Sequence, residues 1–234
     1  MIYVEGCIGV GKSTFIKPFA EYLNAKIKTV VPTAKPNKVY AETVRPAFLT
    51  PFYADLLNEV KPSFHAFRLQ FRVLADRFWQ HFDGVGYEVA NNPNKSVRVH
   101  TLHDRSLPGD RAFVELLHDD GYIQDDDYKT YMDMQRLYME GICRTRPSLC
   151  IYLKASPATC LKRLRERENK YEVGVKLEYL ADLQSVYEGV VLPAVEDMGT
   201  QVVTIDWETY KEPEQVAKYL RRMDAGEAND VWNW

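Results

Sequence analysis

Gly6-Cys7-Ile8-Gly9-Val10-Gly11-Lys12-Ser13, followed by Thr14, stands close to the start of the chain. The run fits Gly-x-x-x-x-Gly-Lys-Ser/Thr. With glycine near 7% of residues, a chance match in a chain this long is on the order of 1%. Each position has a chemical reason. The glycines let successive backbone N–H groups converge on phosphate oxygens, and the following helix adds its positive dipole end. Lys12 supplies a point charge for the outer phosphates, and the Ser13 hydroxyl suits a Mg²⁺ ligand.

Working outward, Ile2-Tyr3-Val4 is short, apolar and β-rich, a buried strand feeding the loop. From Ser13 to Asn24, apolar residues recur at helical spacing, with Pro18 one turn in. Ile27 to Val31 is a second β-rich run. Residues 32–62 hold five prolines and predict loops and short helices. Phe64 to Phe82 reads as a buried helix carrying Arg68, Arg72 and Arg77. Asn91-Asn92-Pro93-Asn94 reads as a surface turn, and Val97 to Leu102 as a strand ending at His103-Asp104-Arg105. Helices are expected over 110–118 and 125–143, then a strand at Leu149–Leu153. Ser156-Pro157 offers an N-cap and an N1 proline for a helix to about Glu168. A helix over Leu177–Val190, a strand over Gln201–Ile205 and a helix over Pro213–Met223 complete the pattern. Strands alternating with helices predict an α/β fold, a central parallel sheet with helices on both faces.

The 234 residues carry 46% hydrophobic and 27% charged side chains, ordinary for a globular chain, which excludes wholesale disorder. No linker-like stretch divides them, so one domain over 1–234 is expected, with a loosely held tail at 225–234. The net charge of -3 argues against a broad nucleic-acid surface. No apolar run approaches the ~18 residues that span a bilayer. Cys7, Cys143, Cys150 and Cys160 form no Cys-x-x-Cys pair and read as reduced thiols. With no leader-like segment ahead of the motif, a cytoplasmic location is expected.

The loop alone does not choose among nucleotide-using enzymes. No Asn-Lys-x-Asp guanine-reading motif is present. Asp104-Arg105-Ser106 sits at the expected C-terminal end of a strand, where parallel sheets bind ligands.

Together these elements resemble the deoxyribonucleoside kinases over roughly residues 1–206. The family's loop, Glu-Gly-x-Ile-x-x-Gly-Lys-Ser-Thr, is matched by Glu5 to Thr14. Its Glu-Arg-Ser motif is matched by Asp104-Arg105-Ser106, with Asp for Glu. Its Arg-rich lid matches about 160–174, and the match runs ungapped from Ser156-Pro157 to Leu177-Glu178-Tyr179-Leu180. The resemblance implies a P-loop kinase fold, a homodimer, and ATP-dependent phosphorylation of a deoxyribonucleoside 5′-hydroxyl. Gly6 through Thr14 would hold ATP, with Lys12, Arg163 and Arg167 on the transferring phosphoryl group and Mg²⁺ at Ser13 and Asp104. Arg105 would orient the 5′ end.

On the substrate side, Phe67-Arg68-Leu69-Gln70 resembles the family's Phe-x-x-Gln. The Gln70 amide can pair with a base edge bidentately. Arg77 and Asp110 match the pair found in cytosine- and purine-using members, and such a pair would crowd a thymine methyl. Glu172 matches a lid carboxylate near the substrate's 3′ side. Asn169 stands where a third lid arginine is absent. Without the family, the charges from Arg163 to Glu168 read as a salt-bridged exposed helix. The general base follows the second strand. Glu42, after Val39-Tyr40-Ala41, fits that place as a carboxylate, while a lead-in at Val30-Val31-Pro32 would put Thr33 there instead. The family's tyrosine for the 3′-hydroxyl falls near Glu59, and Tyr53 takes its place if the loop shifts. A thymidine kinase of this family, a thymidylate-type monophosphate kinase and a catalytically silent nucleotide-binding subunit are the rival readings.

Overall fold

The computed structural model describes residues 1–30, 32–41, 46–92, 98–142, 145–169 and 171–224. Five parallel strands form one sheet in the order β2-β3-β1-β4-β5. They are β1 (Ile2–Glu5), β2 (Lys38–Tyr40), β3 (Thr101–Asp104), β4 (Leu149–Lys154) and β5 (Gln201–Asp206). All four residues of β1 are buried. Side chains alternate across a strand, so both faces of the sheet are covered there. On one of them the Tyr3 hydroxyl meets His81 Nδ1 of the long helix α3 (Phe64–Asn91) at 2.8 Å.

The helix after the loop, α1 (Lys12–Val30), buries Phe15, Ile16, Phe19 and Leu23. It starts one residue earlier than the periodicity indicates, so Pro18 lies in its second turn. There the missing N–H leaves the Thr14 carbonyl without its helical donor. Both residues are on the exposed face, so that carbonyl is not buried without a donor. The strand expected at Ile27–Val31 is a correction: 27–30 form the last turns of α1, and Val31 lies outside the described residues. Thr29 and Val30 are solvent-facing and Ile27 is half-buried, and the place beside β3 is taken by β2, so tertiary pairing overrides local preference.

The Pro-rich segment yields β2 and α2 (Pro46–Leu57), the latter with Pro51 inside it. α3 runs nine residues beyond its expected end. Its start is capped by Ser63, whose hydroxyl accepts from Ala66 N at 2.9 Å. The surface turn expected at Asn91–Asn94 is accordingly the C-terminal end of α3 at Asn91 and its cap at Asn92, and Pro93 and Asn94 lie outside the described residues. The strand expected from Val97 begins only at Thr101. α4 (Arg111–Asp119) and α5 (Asp125–Ile142) follow as the pattern predicts.

Pro157 opens α6 (Pro157–Arg167), capped by Ser156. α7 (Leu177–Val186) passes through a π-helical turn, Tyr187–Val191, into α8 (Leu192–Asp197), and α9 (Pro213–Asp224) packs on α1. The main core joins β1, β4 and β5 to α1 and α6–α9. A second core, around Leu69, Leu74, Leu117 and Tyr131, joins α2 through α5. No helix among the described residues is long and apolar enough to cross a membrane.

Candidate active site

β1 and β3 are parallel neighbours with Val4 opposite Asp104, so the phosphate-loop residues and Asp104-Arg105-Ser106 leave the sheet side by side. The loop is pressed against β4 and α6. Gly6 has φ +144°, and a Cβ there would lie 2.6 Å from the Leu153 carbonyl oxygen. At Gly9, φ +81°, it would lie 2.5 Å from the Cys160 carbonyl oxygen. Only glycine permits this approach at these dihedrals. The Lys12 ammonium donates to the Gly6 and Cys7 carbonyls, both at 3.1 Å, and so is held over the loop.

Ser13 Oγ donates to Asp104 Oδ2 at 2.9 Å. Asp104 is buried, and its Oδ1 has no hydrogen-bond partner among the described residues. Two hard oxygen donors beside a phosphate loop, one with an unused buried lone pair, fit Mg²⁺, which takes few protein ligands and completes its shell with water and phosphate. Among the described residues no three His, Cys, Asp or Glu side chains converge to hold a metal without such help.

Arg105 sits at φ +72°, and its N–H donates to the Val4 carbonyl at 2.9 Å. The turn directs its buried guanidinium back to the loop, where Nη1 donates to the Gly6 carbonyl at 3.1 Å and to the Tyr187 hydroxyl. Glu5 is fully buried nearby. Burial pushes its carboxyl up from the usual range, against the pull of Arg105. Burial also raises the Cys7 thiol to about 12, so this loop cysteine is no nucleophile.

Arg77 and Asp110, 33 residues apart, meet as a buried pair at 3.4 Å. Arg77 Nη1 also donates to the Asp104 carbonyl at 2.6 Å, linking this pair to the loop end of the cleft. Gln70, two helical turns before Arg77 on α3, is buried in the cleft wall. Phe67 is not on that wall: it packs in the α2–α5 core, near Phe71.

Arg163, Arg167 and Glu172 of the lid all line the cleft. Arg163 donates to the carbonyls of Val10, Trp207 and Glu208 at 2.8, 2.9 and 3.0 Å, with its guanidinium over Tyr210. Arg167 pairs with Glu172 across the lid at 2.5 Å. Arg165, on another face, donates to the Val173 and Val175 carbonyls and so ties the turn after α6 back to that helix. Tyr53 lines the cleft and stacks on Tyr171 at 5.4 Å, whereas Glu59 is exposed past the end of α2. Glu42 lies outside the described residues. Of the lead-in that favoured Thr33, Val30 ends α1, Val31 lies outside the described residues, and Pro32 and Thr33 lie in an exposed turn ahead of β2.

Gly9 and Gly11 to Thr14 of the loop, Asp104, Arg105, Gln70, Asp110, Tyr53, Arg163, Arg167 and Glu172 line one cleft of about 1580 Å³. That exceeds the roughly 300–1,000 Å³ of a single-ligand pocket and suits two ligands end to end. The sequence pattern passes over Phe113, Tyr179, Tyr187 and Tyr210, whose rings contact Arg105 and Arg163 or line the cleft. Phe113, Tyr179 and Tyr187 share the apolar helical spacing of core residues, and Tyr210 stands in the loop between β5 and α9 with no motif around it.

A model of the deoxynucleoside kinase family matches residues 2–224. A deoxyadenosine kinase of Dictyostelium discoideum is 28% identical over 229 residues, covering 94% of this chain and 77% of its own length. A deoxyguanosine kinase of the same organism is 25% identical, covering 90% of this chain and 65% of its own. In three dimensions, the M. mycoides deoxyadenosine kinase with bound dCTP superposes with a TM-score of 0.64 at 22% identity, over 94% of this chain and 99% of that one.

Proposed function

The chain belongs to the deoxynucleoside kinase family, whose members are phosphotransferases, and from that premise we propose that it transfers the γ-phosphoryl group of ATP to the 5′-hydroxyl of a deoxyribonucleoside, with deoxycytidine or a purine deoxynucleoside as acceptor. One observation carries the reading: a single cleft is lined by Lys12, Ser13, Asp104 and Arg105 and also by Gln70 and Asp110, the latter paired with the buried Arg77.

ATP lies along the loop from Gly6 to Thr14. Its phosphates draw Lys12, and Arg167 exchanges Glu172 for phosphate, while Arg163 stays beside the loop through its Val10 bond. Ser13 and Asp104 would hold Mg²⁺, which would neutralise charge at the phosphates. Arg105 steadies the acceptor end and Glu42 takes the hydroxyl proton. Little covalent work remains for the protein, so the rate comes from position and charge. At the other end, Gln70 offers a donor and an acceptor to the base edge, and Asp110 accepts from an exocyclic amino group. Tyr53 and Glu172 are within the cleft to meet the 3′ side of the sugar. A homodimer is part of the proposal, supported by an apolar stripe on α3 where Trp79, Phe82 and Val89 are exposed. So is a reducing cytoplasmic setting, in which Cys7, Cys150 and Cys160 stay buried thiols.

The test is a phosphorylation assay with each deoxynucleoside and each monophosphate, in ATP and Mg²⁺. Turnover of deoxycytidine or a purine deoxynucleoside is expected. Turnover of monophosphates alone would reject the reading.

A further inference from the structure

The helix that follows the lid contains a π-helical turn, Tyr187–Val191. Leu183, Tyr187, Val191 and Val195 are all fully buried and recur every four residues. In a regular α-helix each step of four overshoots a full turn by about 40°, so three steps swing a side chain about 120° off the face. The wider turn at Tyr187–Val191 absorbs that excess and keeps all four inward. Such turns cost regular hydrogen bonding and gather at functional sites.

What the turn presents is Tyr187. Its hydroxyl accepts from Arg105 Nη1, the nitrogen that also donates to the Gly6 carbonyl. Its ring centroid lies 5.7 Å from the guanidinium carbon, and that of Phe113 lies 4.7 Å from it. Arg105 is thus enclosed by two aromatic rings, the loop backbone and the buried Glu5 carboxyl. Burial holds the Tyr187 hydroxyl well above its ordinary range, with Arg105 opposing, so it stays a neutral phenol. The same helix begins at Leu177, directly after the lid, so it joins lid to arginine through one rigid element.

We propose that Tyr187 is the positioning residue that sets the Arg105 guanidinium against the phosphate loop, and that the π turn serves to bring it there. This rests on the kinase reading. Tyr187→Phe keeps ring and volume and removes only the oxygen. With one hydrogen bond to a charged group lost, kcat per folded molecule should fall about tenfold or more, with the nucleoside KM little changed. Thermal melting fixes the folded fraction. In an Arg105→Lys background, Tyr187→Phe should cost nothing further, because the geometry it maintains is already gone. A Tyr187→Phe enzyme with wild-type kcat, a loss that only tracks the folded fraction, or effects that multiply in the double variant would each overturn this inference alone. A wild-type chain inactive on every deoxynucleoside would overturn the kinase reading and this inference with it.

Discussion

At the residue scale, two side chains separate catalysis from stability. Lys12 is anchored by two loop carbonyls, so Lys12→Ala removes a charge without opening the core. Turnover should fall by about 10³-fold or more, roughly 4 kcal/mol of transition-state stabilisation, while circular dichroism and Tm stay near wild type. Asp110 behaves differently because it is 1% exposed and faces a buried cation. Asp110→Ala leaves Arg77 charged in the interior, a cost of about 3 kcal/mol or more in urea unfolding. Arg77→Met with Asp110→Leu should recover most of that stability yet lose the preference for amino-bearing bases. Recovery of both would show that the pair does not read the base.

At the element scale, Ser156 is the clearest point of control. Its hydroxyl accepts from Thr159 N at 3.2 Å and starts the helix that carries Arg163 and Arg167. Ser156→Ala should cost about 1 kcal/mol by denaturant unfolding. It should also raise the KM for ATP more than that for the nucleoside, since the lid arginines lie on the ATP side of the proposed geometry. α3 shows the opposite emphasis. It is about 42 Å long at 1.5 Å per residue, and its register, with Gln70 and Arg77 seven apart, puts Gln70 in the cleft wall and Arg77 against Asp110 and the Asp104 carbonyl.

At the whole-molecule scale, acid sensitivity follows from three buried imidazoles. Burial lowers His81 and His100 from the ordinary value of 6.5 to about 4, and His103 well below it. The unfolded chain therefore binds more protons below pH 6.5. Stability is fully present above that pH and is lost as pH falls towards 4. Glu5, raised by burial, acts with the opposite sign but is one group against three. Tm should drop steadily from pH 7 to pH 4.5 in differential scanning calorimetry, and His81→Gln should flatten the slope. The exposed α3 stripe predicts association: Trp79 is 69% exposed beside Phe82 and Val89. Trp79→Glu should convert a dimer to a monomer in sedimentation velocity. A wild-type chain that sediments as a monomer would refute the proposed homodimer.

What the sequence determined by itself was local or periodic. The loop from Gly6 to Ser13, the Ser156 cap, the long apolar helix at Phe64 and the strands at Leu149 and Gln201 rest on neighbours within a few residues, so their spacing alone reveals them. Tertiary structure decided the rest. Residues 27–30 became helix because β2 holds the position beside β3, and Phe67 turned to the core while Gln70 took the cleft. The pairing of Arg77 with Asp110, the bond from Arg163 to the Val10 and Trp207 carbonyls, and the enclosure of Arg105 by Phe113 and Tyr187 join distant segments. The physical reason is that a local motif fixes dihedrals and donors along the chain. The environment of a charge depends on which remote segments pack around it, and that is set only when the sheet order and helix registers are.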